Sequence, residues 1–530
     1  MEQRILNLLA QKDYVPLTAE NLQRHLRLTH RPAGEFLATL HKLERTGQIV
    51  RIKNGRYVRP CEADLVPGCI RMNRAGKGFL QPDDADLKEI VIPEGATGTA
   101  LHEDRVLVRR DARRKSSRAG TAPPETGVVV RILERKRTQF VGTLQQSRQF
   151  LYVVPDDPRM PQDVYVPSPK DVGRPARVGD KVVVELREWE SRHTNPEGEI
   201  VEVLGAPDAE GVDMLSVLRQ YELPLHFPKP VLDAAHAIGS TVNAKDFAGR
   251  VDCRSQRVVT IDPDDAKDFD DAICLEPAEN QHWRLWVHIA DVSHYVKPGS
   301  PLDVEARQRG NSTYLVDRVI PMLPEALSNE LCSLKPNVDR LTKCVEFLIA
   351  NDGRVVSTKF YPAVIHSQRR FTYAQALEIL QRKPTDDPIE QMLHRAHELA
   401  QKIRRRRFKA GSLELDFPET KIRLDGQGRV LRVEKTENDV SHQLIEECML
   451  LANEAVAARL MSLQKPAIYR VHEEPDARRL QEYRDEVLAQ HIPCGNLSQP
   501  AEVQKLLAKL SALPIGPALK IGFLKSLMRA

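Results

Sequence analysis

Few folds accommodate an order of short apolar runs that occurs twice, and this chain carries one. Gly76-Lys77-Gly78-Phe79-Leu80-Gln81-Pro82-Asp83-Asp84 precedes Ile90-Val91-Ile92-Pro93 and then Asp104-Arg105-Val106-Leu107-Val108. Phe150-Leu151-Tyr152-Val153-Val154-Pro155-Asp156-Asp157 precedes Val164-Tyr165-Val166-Pro167 and then Asp180-Lys181-Val182-Val183-Val184. Runs this short, punctuated by Gly, Pro and Asp, read as strands and turns, and their recurrence predicts two small β-barrels in tandem. We place them at residues 66–130 and 137–206 and expect the oligonucleotide-binding (OB), cold-shock-like type. Phe79, Phe150 and Tyr152 fall where such a barrel presents aromatics on which bases stack, although a lone aromatic is more often core.

The flanking segments differ in kind. Residues 1–60 predict three helices, with apolar stripes Ile5/Leu8/Leu9, Leu22/Leu26 and Phe36/Leu37/Leu40/Leu43. A hairpin follows, turning at Asn54-Gly55 with Arg51, Lys53 and Arg56 around its tip. That is the pattern of a winged helix, suited to nucleic acid or to docking another protein. Between the barrels, Arg113, Arg114, Lys115 and Arg118 form a basic loop that is either solvated surface or a phosphate contact. Residues 207–250 read as a linker with one helix. Residues 251–530 read as a mixed α/β domain, β-rich to about 365 and helical afterwards. A chain of 530 residues exceeds what one core supports, so a multidomain α+β protein is expected. The net charge of +4 decides nothing about partners, because 78 basic and 74 acidic residues can be segregated in space. No signal peptide or membrane-length apolar run is present and the 8 cysteines lack paired spacing, so reduced thiols in the cytosol and no membrane partner are expected.

The chemistry concentrates in Val258-Val259-Thr260-Ile261-Asp262-Pro263-Asp264-Asp265-Ala266-Lys267-Asp268-Phe269-Asp270-Asp271-Ala272-Ile273. Carboxylates crowded between two apolar strands repel one another and lose hydration, which is costly unless cations neutralise them. A Ca²⁺ loop of the EF-hand type fails, since its glycine position would hold Lys267 and its bidentate glutamate position Ile273. A hard cation such as Mg²⁺ fits, and two ions would serve phosphodiester hydrolysis that leaves a 5′-phosphate on the product. A late basic run, Lys402, Arg404, Arg405, Arg406, Arg407 and Lys409, is expected partly to face solvent and partly to reach phosphate.

The stretch Thr260 to Ala272 resembles the active-site signature of the ribonuclease II/R family. The family's further motifs follow in order: Val287-His288-Ile289-Ala290-Asp291-Val292, Ser312-Thr313-Tyr314, Leu331-Cys332-Ser333-Leu334, Arg370-Phe371-Thr372-Tyr373, Leu415-Asp416-Phe417 and His442 to Met449. With a winged helix and two barrels ahead of them, the resemblance favours the ribonuclease R branch and a nuclease domain of the RNB type. It implies processive 3′→5′ exoribonuclease activity on single-stranded 3′ ends and on structured RNA. It also implies Mg²⁺, in two ions, with Mn²⁺ as an alternative, and the ribosome or the RNA-decay machinery as further partners. Asp262, Asp268, Asp270 and Asp271 match the family's metal carboxylates, with Asp270 the residue whose loss removes chemistry while sparing RNA binding. Tyr314 and Phe417 match its base-clamping aromatics. Tyr373 with Glu446 or Glu447 matches its sensor of the ribose 2′-OH. The family's later segment, with an arginine on the scissile phosphate and another OB domain, is not found before Ala530, so an RNB domain without its C-terminal part is expected. The competing expectations are an RNA-binding protein with an inert nuclease region and, less in keeping with the barrels, a metal-dependent phosphatase.

Overall fold

The computed structural model describes residues 1–528 except 12, 29–32, 112–124, 149, 161, 170, 171, 173, 190, 416–418, 427 and 437. The basic loop between the barrels lies outside the described residues. The chain divides into two compact units, Met1–Leu223 and Pro224–Ala530.

In the first unit, helices Glu2–Leu9, Ala19–His25 and Ala33–Arg45 precede a hairpin of Val50–Ile52 and Arg56–Val58, which Leu17–Thr18 extends to three strands. Ile5, Leu9, Leu22, Phe36, Leu40 and Leu43 form its core, whereas Leu37 points outward. Asn54 and Gly55 both take positive φ, 64° and 68°, as the two-residue turn of a tight hairpin requires.

Two five-stranded sheets follow. The first comprises Leu65–Met72, Gly78–Pro82, Ile90–Ile92, Arg105–Arg110 and Gly127–Glu134. The second comprises Gln139–Ser147, Phe150–Pro155, Val164–Val166, Lys181–Leu186 and Gly198–Gly205. In each, the spatial order is third, second, first, fourth, fifth strand. A parallel bridge brings the third strand against the approach to the fifth in both, Val91 to Thr126 and Tyr165 to Glu197. The duplicated order of runs therefore gives a duplicated, OB-type barrel topology. Separate apolar cores fill the barrels, around Ile70, Leu80 and Val106 in one and Leu144, Val153 and Val182 in the other.

Where one helix was expected between 207 and 250 there are two, Val212–Gln220 and Lys229–Ile238. Pro224, Pro228 and Pro230 explain the break, since proline cannot continue a helix but suits the first turn of the next.

The second unit is built on a seven-stranded sheet: β1 (Val251–Asp252), β2 (Val259–Asp262), β3 (Asp271–Pro277), β4 (Trp283–Ala290), β5 (Asp339–Ile349), β6 (Val355–His366) and β7 (Arg369–Thr372). Its order is β1-β6-β5-β4-β3-β2-β7, parallel at the two edge pairs and antiparallel between. Helices Tyr373–Gln381, Pro388–Lys409 and Val440–Ser462 share one core with it, including Ile273, Phe347, Leu393 and Leu444. The helical expectation for the later part meets an exception, a hairpin of Glu419–Leu424 and Val430–Thr436. Helices Ala477–Ala489, Pro500–Ser511 and Gly516–Ser526 pack around Tyr483, Leu510 and Phe523.

Candidate active site

The site follows from strand order. β2 is buried along its length and ends at Asp262, opposite Thr372 of β7. β3 is the antiparallel neighbour of β2 and begins at Asp271, opposite Ile289. The end of one strand and the start of the next thus set Asp262 and Asp271 side by side, with Asp268 and Asp270 on the loop that joins them.

Asp262 is 7% exposed, and its Oδ2 is buried without a hydrogen-bond partner. Burial pushes its carboxyl up to about 7. The charges of Asp271 and Asp268 add to this, while the Thr260 hydroxyl, itself without a partner of good geometry, and Arg370 oppose it. Asp271 is raised to about 6 by burial and by Asp270, and Asp270 is raised by burial and by Asp268. Oxygen donors under mutual repulsion, one of them orphaned in the interior, suit a hard divalent cation. Among the described residues, no three Asp, Glu, His or Cys side chains are drawn together closely enough to hold one ion.

The loop's other two acids are disposed differently. Lys421 Nζ reaches Asp264 at 3.2 Å and Asp265 at 3.1 Å, and Arg423 reaches Asp264 at 3.3 Å, both from the Glu419–Thr436 hairpin. Arg370 donates to the carbonyl of Pro263 and lies 5.2 Å over the Phe269 ring.

Two tyrosines border the carboxylates. Tyr314 stands exposed on a small hairpin, and its hydroxyl donates to Asp268 Oδ2 at 3.1 Å. Tyr373 is the first residue of a helix capped by Thr372, whose hydroxyl accepts the Gln375 amide. Burial, then the charges of Asp271 and Asp262, push its phenol up to about 12, so it remains a donor at neutral pH. Its ring stacks on His442, with centroids 3.9 Å apart and planes 13° from parallel. Asp439 caps the helix carrying His442 and lies 3.1 Å from its Nδ1. Phe417 lies outside the described residues.

The adjacent glutamates part company. Glu447 is 1% exposed and accepts from Arg404 at 3.1 Å and from Arg407 Nε at 3.1 Å. Glu446 keeps a solvent face and sits 3.6 and 3.9 Å from the same guanidiniums. Most cations of the 402–409 run have partners within the protein. Arg404 also meets Glu414, Arg406 meets Asp352, and Lys402 donates to Asn351. Arg404 and Arg407 are the two that pair with the buried Glu447, whose charge would be costly to leave uncompensated.

In the second barrel, Phe150 and Tyr152 lie on one strand and Tyr165 on the next, with Phe150 and Tyr165 meeting edge to face at 5.1 Å. Phe150 and Tyr165 are exposed. Tyr165 went unnoticed in the sequence, where it reads only as the centre of an apolar run. Its cross-strand place beside Phe150 was the missing signal.

Three family models match the chain: the RNB domain at residues 250–530, a cold shock domain at 152–228 and the ribonuclease B OB domain at 68–122. Ribonuclease R of Thermotoga maritima is 39% identical over 98% of this chain and 73% of its own length. Ribonuclease R of Escherichia coli is 37% identical over 93% of this chain, which spans 60% of that relative's length. Among solved structures, Mycoplasma genitalium RNase R in complex with ribose-methylated single-stranded RNA matches with a TM-score of 0.76 at 27% identity, covering 88% of this chain and 73% of that one. The chain belongs to the ribonuclease R family, the RNB-domain exoribonucleases that carry OB-type and cold-shock barrels ahead of the nuclease domain.

Proposed function

We propose that the strand-end carboxylates hold Mg²⁺, in two ions, and that the chain uses them to hydrolyse RNA from its 3′ end, releasing 5′-nucleoside monophosphates processively. One observation carries this reading: a buried carboxylate oxygen of Asp262 has no protein partner although Asp271 and Asp268 press on it electrostatically. When bound, such ions draw charge from the phosphoryl oxygens and acidify the attacking water. Asp262, Asp268 and Asp271 serve as ligands. Asp270, on the loop between β2 and β3, serves as ligand and orients the water, so its loss stops chemistry before it weakens RNA binding.

The remaining residues orient the RNA end. Tyr314 and Phe417 stack on terminal bases, which tolerates any sequence. The Tyr373 phenol, protonated at neutral pH, donates to the ribose 2′-oxygen, and Glu446 accepts from the 2′-OH. Glu447 is excluded from that task because both its oxygens are taken by arginines. Phe150, Tyr152 and Tyr165 offer a stacking face for RNA on the second barrel.

The substrates proposed are single-stranded 3′ ends and structured RNA. The Mycoplasma genitalium structures with single-stranded and with double-stranded RNA support both. The ribosome or the RNA-decay machinery is the proposed setting, and the cytosol the proposed compartment. No helix among the described residues is long and apolar enough to cross a membrane.

A 3′-tailed RNA incubated with this chain and Mg²⁺ tests the proposal. Release of mononucleotides, abolished in Asp270→Asn while RNA binding persists, is the expected result. Tight binding without shortening would replace it with an RNA-binding protein whose nuclease region is inert.

A further inference from the structure

Ser333 lies in the segment after the π-helical turn Ala326–Leu331 and is wholly buried. Its hydroxyl donates to the Lys267 carbonyl at 2.7 Å and accepts from the Phe269 amide at 3.1 Å. Those two backbone groups flank Asp268. The donor of one hydroxyl and an acceptor of the same hydroxyl are therefore both spent on the residues either side of a single carboxylate. The grip continues with the Leu334 amide, which donates to the Phe269 carbonyl at 2.8 Å. The Ser333 carbonyl is itself held at 2.8 Å by Nε of Arg340, a buried residue of β5. The clamp is thus anchored in the central sheet, two strands away from β3. At its far end, the Asp268 carboxylate accepts from Tyr314.

We propose that Ser333 is a positioning residue for the metal site: its hydroxyl pins the backbone on both sides of Asp268 and so aims that carboxylate. The proposal rests on the divalent-metal reading of the four aspartates. Without the hydroxyl, the Lys267 carbonyl and Phe269 amide lose their partner in the interior. The nearest relief is a rotation of these peptides toward water, which turns Asp268 with them. Tyr314, hydrogen-bonded to Asp268, would lose its anchor in the same movement.

The test uses the whole 530-residue chain and Mn²⁺ alone, with free ion followed by electron paramagnetic resonance. Ser333→Ala is expected to weaken Mn²⁺ binding by about 10- to 100-fold, the range seen when a group that orients a metal ligand is removed. Amide exchange is expected to rise in the peptide covering Lys267 to Asp271, with protection elsewhere in the sheet unchanged. Ser333→Thr keeps the hydroxyl and is expected to restore both readouts. Wild-type Mn²⁺ affinity in Ser333→Ala overturns the proposal. So does weaker binding accompanied by loss of protection throughout β2 to β5, which marks a merely structural role, or a Ser333→Thr chain as deficient as Ser333→Ala. A wild-type chain that takes up no Mn²⁺ fails differently: it removes the metal reading itself, and this inference with it.

Discussion

Glu447 and Asp262 are both carboxylates taken out of water, and the protein treats them in opposite ways. Glu447 sits between two helices, and arginines one turn apart on the facing helix neutralise both of its oxygens. Asp262 sits at a strand end, its Oδ2 has no partner, and its nearest charged neighbours include two more acids. An arginine is at hand in Arg370, but it donates to the loop carbonyl of Pro263 instead. Burial of an acid is therefore not what marks a site in this molecule. What sets Asp262 apart is the absence of a hydrogen-bonded counter-charge.

The contrast can be broken most forcefully at Asp262. Replacing it with Asn is expected to cut RNA hydrolysis by about a thousand-fold or more, since a metal's stabilisation of transition-state charge is worth several kcal/mol. The same variant is expected to melt at a higher temperature than the wild type in EDTA, because it removes an uncompensated charge. Single-turnover assays and thermal melts measure the two, and a destabilised Asp262→Asn chain in EDTA would end the contrast. Glu447→Gln is expected to behave in the opposite sense, losing about 3 kcal/mol in chemical denaturation by stranding two guanidiniums that retain some water. Full stability in that variant would show the arginine pairing to be incidental.

Acidity sharpens the same comparison. In metal-free buffer the unfolded chain releases the Asp262 proton near 3.8, and the folded chain only near 7. The folded state binds the extra proton between those values, so this group's contribution to stability falls as pH rises through them. The stability advantage of Asp262→Asn over wild type should accordingly be small at pH 4 and widen up to about pH 7. A gap that does not change with pH would contradict the burial of this carboxyl. The smallest effect belongs to the loop acids that are paired at the surface. Lys421→Ala is expected to cost under about 1 kcal/mol, and that cost should vanish at high salt. A salt-independent loss would mean that the hairpin latch matters for more than charge.

Legibility in the sequence varied with the distance over which each feature is decided. The barrels were readable because each is made of runs close together in the chain, and the tight turn at Asn54-Gly55 because two residues alone define it. The aspartate cluster was readable because its members share ten positions. Glu446 and Glu447 could not be separated, since neighbours on a helix differ in burial only through what packs against each. The partners of the basic run were unreadable for the same reason: a row of arginines does not say which acids the fold will bring to it. Tyr165 and Ser333 were passed over because their partners, Phe150 on the next strand and the Lys267–Phe269 backbone, are set by pairing and packing.

The order of apolar runs and the spacing of the acids from 262 to 271 were enough to predict the tandem barrels and the class of chemistry, because period, turn and charge density are local properties. Which carboxylate is neutralised from within, which is left without a hydrogen-bonded counter-charge and which hydroxyl pins the loop backbone beside Asp268 were decided only when separate strands and helices met. A counter-charge or a hydrogen bond exists only between groups that the fold has made neighbours.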